Sequence, residues 1–314
     1  MGKKQNWWHI LAKAMVVGGT MTVPGASGGT MAMILGIYED LIETVGRLPG
    51  LLANCLFSAD RPPAAGKRHA MGKRDSLRSG NKPALKSLWE NLRFLAQFCV
   101  GALTGMTLLA KGVLSLLERY PVVVSYFFLG AVAGGIPLIC RQAKVKKLTW
   151  QVLFWPLAGL FIVYGLAALP EGLFTAGLSG SGASPDAFSF YRFLFQFLGG
   201  CILAVALILP GISVSQMLLM LGLYEPVMTA VSQLHFVSLI PLGLGAVLCT
   251  LLITRLLGSA MERHPQPTYL LILGFVLGSL GELYPGLPTG WNMFFAPLAA
   301  VAGYQLLSRL SLHL

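Results

Sequence analysis

Two stretches of this chain interrupt an apolar run with the same breaker. Residues 24–39 read PGASGGTMAMILGIYE and residues 210–225 read PGISVSQMLLMLGLYE. In each, a Pro-Gly pair precedes small hydroxyl and glycine residues inside a segment that is otherwise apolar. A backbone that stops being helical at membrane depth strands its N–H and C=O groups. Only surrounding protein or a water-filled cavity can satisfy them there. The chain must therefore fold so that both breaks are enclosed, and the polar groups they expose make them first candidates for a ligand site.

The rest of the composition places those breaks in a bilayer. The chain has 314 residues, 55% hydrophobic and 11% charged. Its apolar runs approach or exceed the roughly 20 residues that span a bilayer as a helix. The expected fold class is an all-α polytopic membrane protein. Thirty-seven glycines and eighteen prolines suit close-packed and broken membrane helices. The net charge of +11 is concentrated in a few loops, which points to topology and not to nucleic-acid binding. The basic N-terminus lacks a small-x-small cleavage site and reads as retained. Cys55, Cys99, Cys140, Cys201 and Cys249 have no metal or redox spacing and read as small membrane hydrophobes.

Read along the chain, the first half is residues 1–170. Residues 7–45 form two apolar arms around Pro24 and Gly25. Neither arm is long enough to cross a core of about 30 Å alone, so a re-entrant helical hairpin is expected. Residues 49–91 are basic and read as a cytoplasmic loop that touches anionic lipid. Spans follow at 94–117, 122–140 and 150–169. Residues 171–189 contain no Lys or Arg and read as an external linker. The second half, residues 190–314, repeats the plan: a hairpin at 190–234 around Pro210 and Gly211, then spans at 236–257, 268–284 and 292–310.

The repeat is visible residue by residue. Residues 24–48 match 210–234 at ten of twenty-five positions, including Met31/Met217, Gly36/Gly222, Tyr38/Tyr224 and Glu39/Glu225. Residues 118–134 match 262–278 at seven of seventeen, and residues 150–158 match 291–299 at five of nine. One re-entrant hairpin plus three spans makes each half cross an odd number of times. The halves are then expected to be inverted relative to each other, a plan of secondary transporters. With both termini cytoplasmic, nineteen Lys and Arg fall on inner segments and two, Arg119 and Arg192, on outer ones.

The next helix after each break is expected to start near Ser27 or Ser213, with free N–H groups and a positive dipole end suited to an anion. Ser27, Gly28, Gly29 and Thr30 on one tip, and Ser213, Ser215 and Gln216 on the other, are the candidate anion-binding residues. Gly28-Gly29 is open to a closer approach than Val214-Ser215. Lys111 and Arg255 are matched cations that either attract an anionic head group or snorkel to the interface. Lys13 carries the same two readings. Glu39 and Glu225 are matched acids, either proton- or sodium-coupling sites or residues returning to the interface. Glu282 reads as an outer-interface residue. No catalytic cluster, metal spacing or phosphate loop stands out, so no enzyme, cofactor or metal is expected.

The segments VPGASGGTMAMILGIYEDLI at 23–42 and ILPGISVSQMLLMLGLYEPVM at 208–228 resemble the two signature segments of the bacterial polyprenyl-phosphate transporter family. The likeness covers essentially the whole chain. The second copy departs from the family pattern, with Val214 where a glycine between two serines is expected. The resemblance implies a flippase of the bacterial inner membrane that returns undecaprenyl phosphate, the carrier lipid of cell-envelope and peptidoglycan synthesis, to the cytoplasmic leaflet. Alternatives are a transporter of a small soluble anion, an undecaprenyl-pyrophosphate phosphatase, and a membrane scaffold acting through the basic loop.

Overall fold

The computed structural model describes residues 7–21, 23, 27–57, 73–145, 150–168, 185–233 and 236–312. The described residues are helical with no strand. We number the helices α1 Trp7–Thr20, α2 Gly28–Ile34, α3 Tyr38–Phe57, α4 Lys73–Arg119, α5 Pro121–Gln142 and α6 Trp150–Ala167. There follow α7 Pro185–Ile208, α8 Val214–Met220, α9 Tyr224–Ser232, α10 Ile240–Arg263, α11 Pro265–Leu283 and α12 Asn292–Leu312. Among the described residues, four stretches are long and apolar enough to cross a membrane: Leu85–Leu109, Pro121–Gln142, Val237–Arg263 and Pro265–Leu283. The protein is a polytopic helical membrane protein.

The order of α1–α6 recurs as α7–α12, and so does the packing. The closest helix pairs are α1 with α4, α7 with α10, α5 with α12, and α6 with α11. Each pair is closed by glycine. Gly101 of α4 lies against the backbone of Leu11, and Gly245 of α10 against that of Phe197. Those positions are related by the sequence repeat, Leu11 to Phe197 and Gly101 to Gly245. Likewise Gly130 of α5 meets the backbone of Ala300, and Gly274 of α11 meets Gly159. Apolar burial drives little association between helices already in lipid, so close backbone approach at small residues supplies the van der Waals contact instead.

Three differences from the sequence reading have physical causes. The basic segment at 49–91 is helical at both ends, with α3 running to Phe57 and α4 starting at Lys73. Its Lys, Arg, Leu and Ala residues are good helix formers, so their polarity marks water and not a loop. The linker expected over 171–189 is already helical from Pro185. The return arm of each hairpin is two helices where one was expected. Gly36 and Gly222 sit at φ +66° and +67° and end α2 and α8. Around them Gly36 N–H bonds Met33 C=O and Ile37 N–H bonds Ala32 C=O, with the same pair from Gly222 and Leu223 to Leu219 and Leu218. This is a Schellman ending at a left-handed glycine.

The first tip lies in the core. Met31, Ala32, Met33 and Ile34 of α2 are buried in a cluster with Val132 of α5 and Ile272 and Val276 of α11. The two halves meet at the breaks. The Tyr38 hydroxyl donates to the Ile208 carbonyl at 2.7 Å, the end of α7 where the helical acceptor pattern stops. Pro24 and Gly25 lie outside the described residues.

Replacing Gly105 by Ala puts a Cβ 1.9 Å from the Met15 carbonyl oxygen, whereas a Cβ at Gly112 on the same helix meets nothing within 4 Å. Gly105→Ala is expected to lower the unfolding midpoint of detergent-solubilised protein. Gly112→Ala is expected to leave it unchanged or raise it through a helix-propensity gain of up to about 1 kcal/mol. Tyr38→Phe strands the Ile208 carbonyl and is expected to cost about 1–3 kcal/mol, read by the same thermal measurement.

Candidate functional site

Both tips are built alike. Ser27 and Ser213 are the residues just before α2 and α8, with extended backbone at φ −80°, ψ 129° and φ −82°, ψ 123°. Each carbonyl accepts the first helical bond, from Met31 at 3.2 Å and from Met217 at 3.1 Å. Neither serine hydroxyl caps its helix. The first-turn N–H groups, which have no acceptor within a helix, are therefore not capped by these hydroxyls. Gly211 reaches φ +87°, and a Cβ there would lie 2.1 Å from the Phe275 carbonyl oxygen. Only glycine lets the second break turn so close to α11.

The two tips share one cavity of about 770 Å³. Ser27, Gly28 and Gly29 line it from the first half. Ser213, Val214, Ser215, Gln216 and Tyr224 line it from the second, with Glu282 of α11. The walls between them are apolar, from Met21, Val23, Leu207, Ile212 and Leu219. Hydroxyls and an amide are thus gathered in a hydrocarbon-like surround. Donors there interact with an anion more strongly than they would in water.

The tips are unequal. Val214 does not close the second one, since Ser215 is exposed and five consecutive residues, Ile212–Gln216, reach the cavity. The first tip is the more enclosed. A Cβ on Gly29 would approach the Pro210 Cα to 3.3 Å, so this glycine lets the breaks pack on each other. Thr30 does not line the cavity. Its hydroxyl, in the first turn of α2, is buried with no partner among the described residues.

The other candidates stand elsewhere. Lys111 is exposed on α4. Arg255 of α10 donates from Nε to the Gly46 carbonyl at 2.9 Å, which clamps α10 to α3. Neither cation lines the central cavity. Glu39 accepts from the Tyr269 hydroxyl at 2.5 Å and from Gln142 Nε2 at 2.8 Å. It lines a separate cavity of about 470 Å³ with Glu43, Lys144 and Glu262. Glu225 lines a third, of about 480 Å³, with Gln196 and Gln233. The matched acids therefore occupy related places on either side of the tips and not the cavity between them. Lys13 is buried in α1 and interacts electrostatically with Asp40 of α3.

Glu282, expected from the sequence at the outer interface, lines the central cavity as well. The spacing that pairs 118–134 with 262–278 puts Leu138 opposite it, so the repeat gives it no acidic counterpart.

A family model described as undecaprenyl phosphate translocase-like matches residues 17–293. A polyprenyl-phosphate transporter of Vibrio cholerae is 30% identical over 286 residues, covering 90% of this chain and 80% of that protein. A polyprenyl-phosphate transporter of Staphylococcus aureus is 28% identical over 302 residues, covering 94% and 92%. No solved structure matches. With the model spanning both breaks and nearly all helices of both halves, the chain belongs to the undecaprenyl phosphate translocase-like family.

Proposed function

We propose that the protein carries polyprenyl phosphate across the bacterial cytoplasmic membrane, with the head group passing through the cavity between the two tips. The observation that carries this reading is that the residues just after each Pro-Gly pair, Ser27–Gly29 and Ser213–Gln216, far apart in sequence, line a single cavity. The names of its relatives supply the substrate class. A phosphate moved unaided through hydrocarbon loses its hydration at a cost of tens of kcal/mol by Born solvation. The polyprenyl tail has no such barrier and can trail through lipid. A carrier need only replace water around the head group, which Ser27, Ser213, Ser215, Gln216 and the uncapped N–H groups can do.

The transport cycle follows from the repeat. If α1–α6 and α7–α12 are inverted copies, each hairpin is re-entrant and the tips approach from opposite faces. Rocking one half against the other then exposes the same site to each leaflet in turn. The matched glycine crossings support this reading. The Lys and Arg distribution supports cytoplasmic termini and an external Glu282 end of α11. In this orientation the cavity receives lipid from the outer leaflet and delivers it inward, driven by a proton or sodium gradient. Lys111 and Arg255, outside the cavity, attract the anionic head group toward the protein surface, and the basic residues of α4 rest on anionic lipid.

Purified protein in liposomes is expected to change the leaflet distribution of undecaprenyl phosphate when an ion gradient is imposed. No movement under any gradient would reject the reading. Ser213→Val and Gln216→Leu are each expected to lower the transport rate about tenfold or more, because a hydrogen bond to a charged group contributes about 1.5–3 kcal/mol. Lys111→Ala is expected to lower it only a few-fold, with the effect vanishing at high salt. An effect of Lys111→Ala as large as that of Ser213→Val would move the phosphate site away from the tips.

A further inference from the structure

Glu282 is the one acid among the described residues that lines the central cavity. It lies in the last turn of α11 and is shared with a smaller adjoining space walled by Val163, Leu166, Met217 and Met220. Ser213 and Gln216 border both spaces with it. Among the described residues no Lys or Arg forms an ion pair with it. The titratable groups around it are phenols. Tyr164 of α6 approaches the neighbouring Gly281, and Tyr224 of α9 lines the same cavity. Tyr126 of α5 packs 6.2 Å from Tyr284 at the end of α11. On α10, Arg255 is engaged with Gly46, while Glu262 and Arg263 adjoin Pro265 at the opposite end of α11. Glu282 is therefore the carboxyl that faces the space between the tips.

A carboxylate and a phosphate cannot both be ionised in one apolar-walled cavity without strong repulsion. If the cavity is the phosphate site, as proposed above, that conflict has one inexpensive solution. We propose that Glu282 is a proton-binding site, taking up one proton as the phosphate head group binds and giving it back as the head group leaves. The carboxylate accepts the proton from water at the mouth of the cavity. The resulting carboxylic acid then donates its O–H to a phosphate oxygen, alongside Ser213 and Gln216. Because the proton and the phosphate share the cavity, they travel together, and a proton gradient drives the lipid. Leu138, the residue opposite in the repeat, can do none of this, so the site belongs to the second half alone.

The test uses the full chain in nanodiscs, with undecaprenyl phosphate binding followed from about pH 5.5 to about pH 8.5. The lipid's own titration is common to all variants, so the ratio of wild-type to Glu282→Gln affinity isolates Glu282. Wild-type affinity is expected to fall relative to Glu282→Gln by up to about tenfold per pH unit above the carboxyl's pKa, because the amide is a permanently neutral donor. In a weakly buffered solution with a pH dye, wild type is expected to absorb a proton on lipid addition and Glu282→Gln is not. If the variant fails to fold, absence of proton uptake by wild type alone still overturns the role of Glu282. Parallel pH curves, or no proton uptake by wild type, overturn the role of Glu282 while leaving the phosphate site intact. Absence of binding at every pH overturns both.

Discussion

A peptide group in hydrocarbon must have a partner, and the two places where this chain breaks its helices inside the membrane dictate how everything else is arranged. At the second break the Ile208 carbonyl is freed when α7 ends, and the Tyr38 hydroxyl from the other half takes it up. Gly29 allows the first tip to close on Pro210, and Gly211 allows the second to turn against Phe275. The second break is thus satisfied at Ile208 by the first half, and the cavity lies between tips brought together in this way. The site is a consequence of the solution to the backbone problem.

The surrounding helices serve that solution by rigidity. Glycine at each of the four main helix crossings brings backbones into contact, which replaces the hydrophobic driving force that lipid removes. The repeated crossings, Leu11 with Gly101 and Phe197 with Gly245, hold the two halves as similar bodies. The halves differ where chemistry is concerned. The first tip is packed into the core and acts as a fixed wall. The second presents Ser213, Ser215 and Gln216, and the second half alone adds Glu282.

Much of this was legible in the sequence. The repeated Pro-Gly segments identified the tips, and the two copies of Ser27 and Ser213 are in the same conformation just ahead of their helices. The apolar runs gave the helices and their order. Helix ends were less legible, because polarity reports contact with water while Lys and Arg remain good helix formers, as at the start of α4. The turns at Gly36 and Gly222 were hidden inside apolar runs, where a single glycine gives no sign of its φ. Cavities were the least legible. Matched residues such as Glu39 and Glu225 draw the eye in a repeat, yet the fold puts each in its own peripheral space. Glu282 reaches the shared one because α11 passes beside the second break, a packing relation that no local pattern encodes.

The most direct measurement is the position of the phosphate in the lipid-bound protein. An electron cryomicroscopy structure in nanodiscs supplied with undecaprenyl phosphate is expected to place the head-group density between the tips. There it lies within about 3 Å of the Ser213 hydroxyl and the Gln216 amide, with Glu282 alongside and the polyprenyl chain leaving into lipid. Head-group density at Lys111 or Arg255, with the space between the tips occupied only by water, would contradict the account.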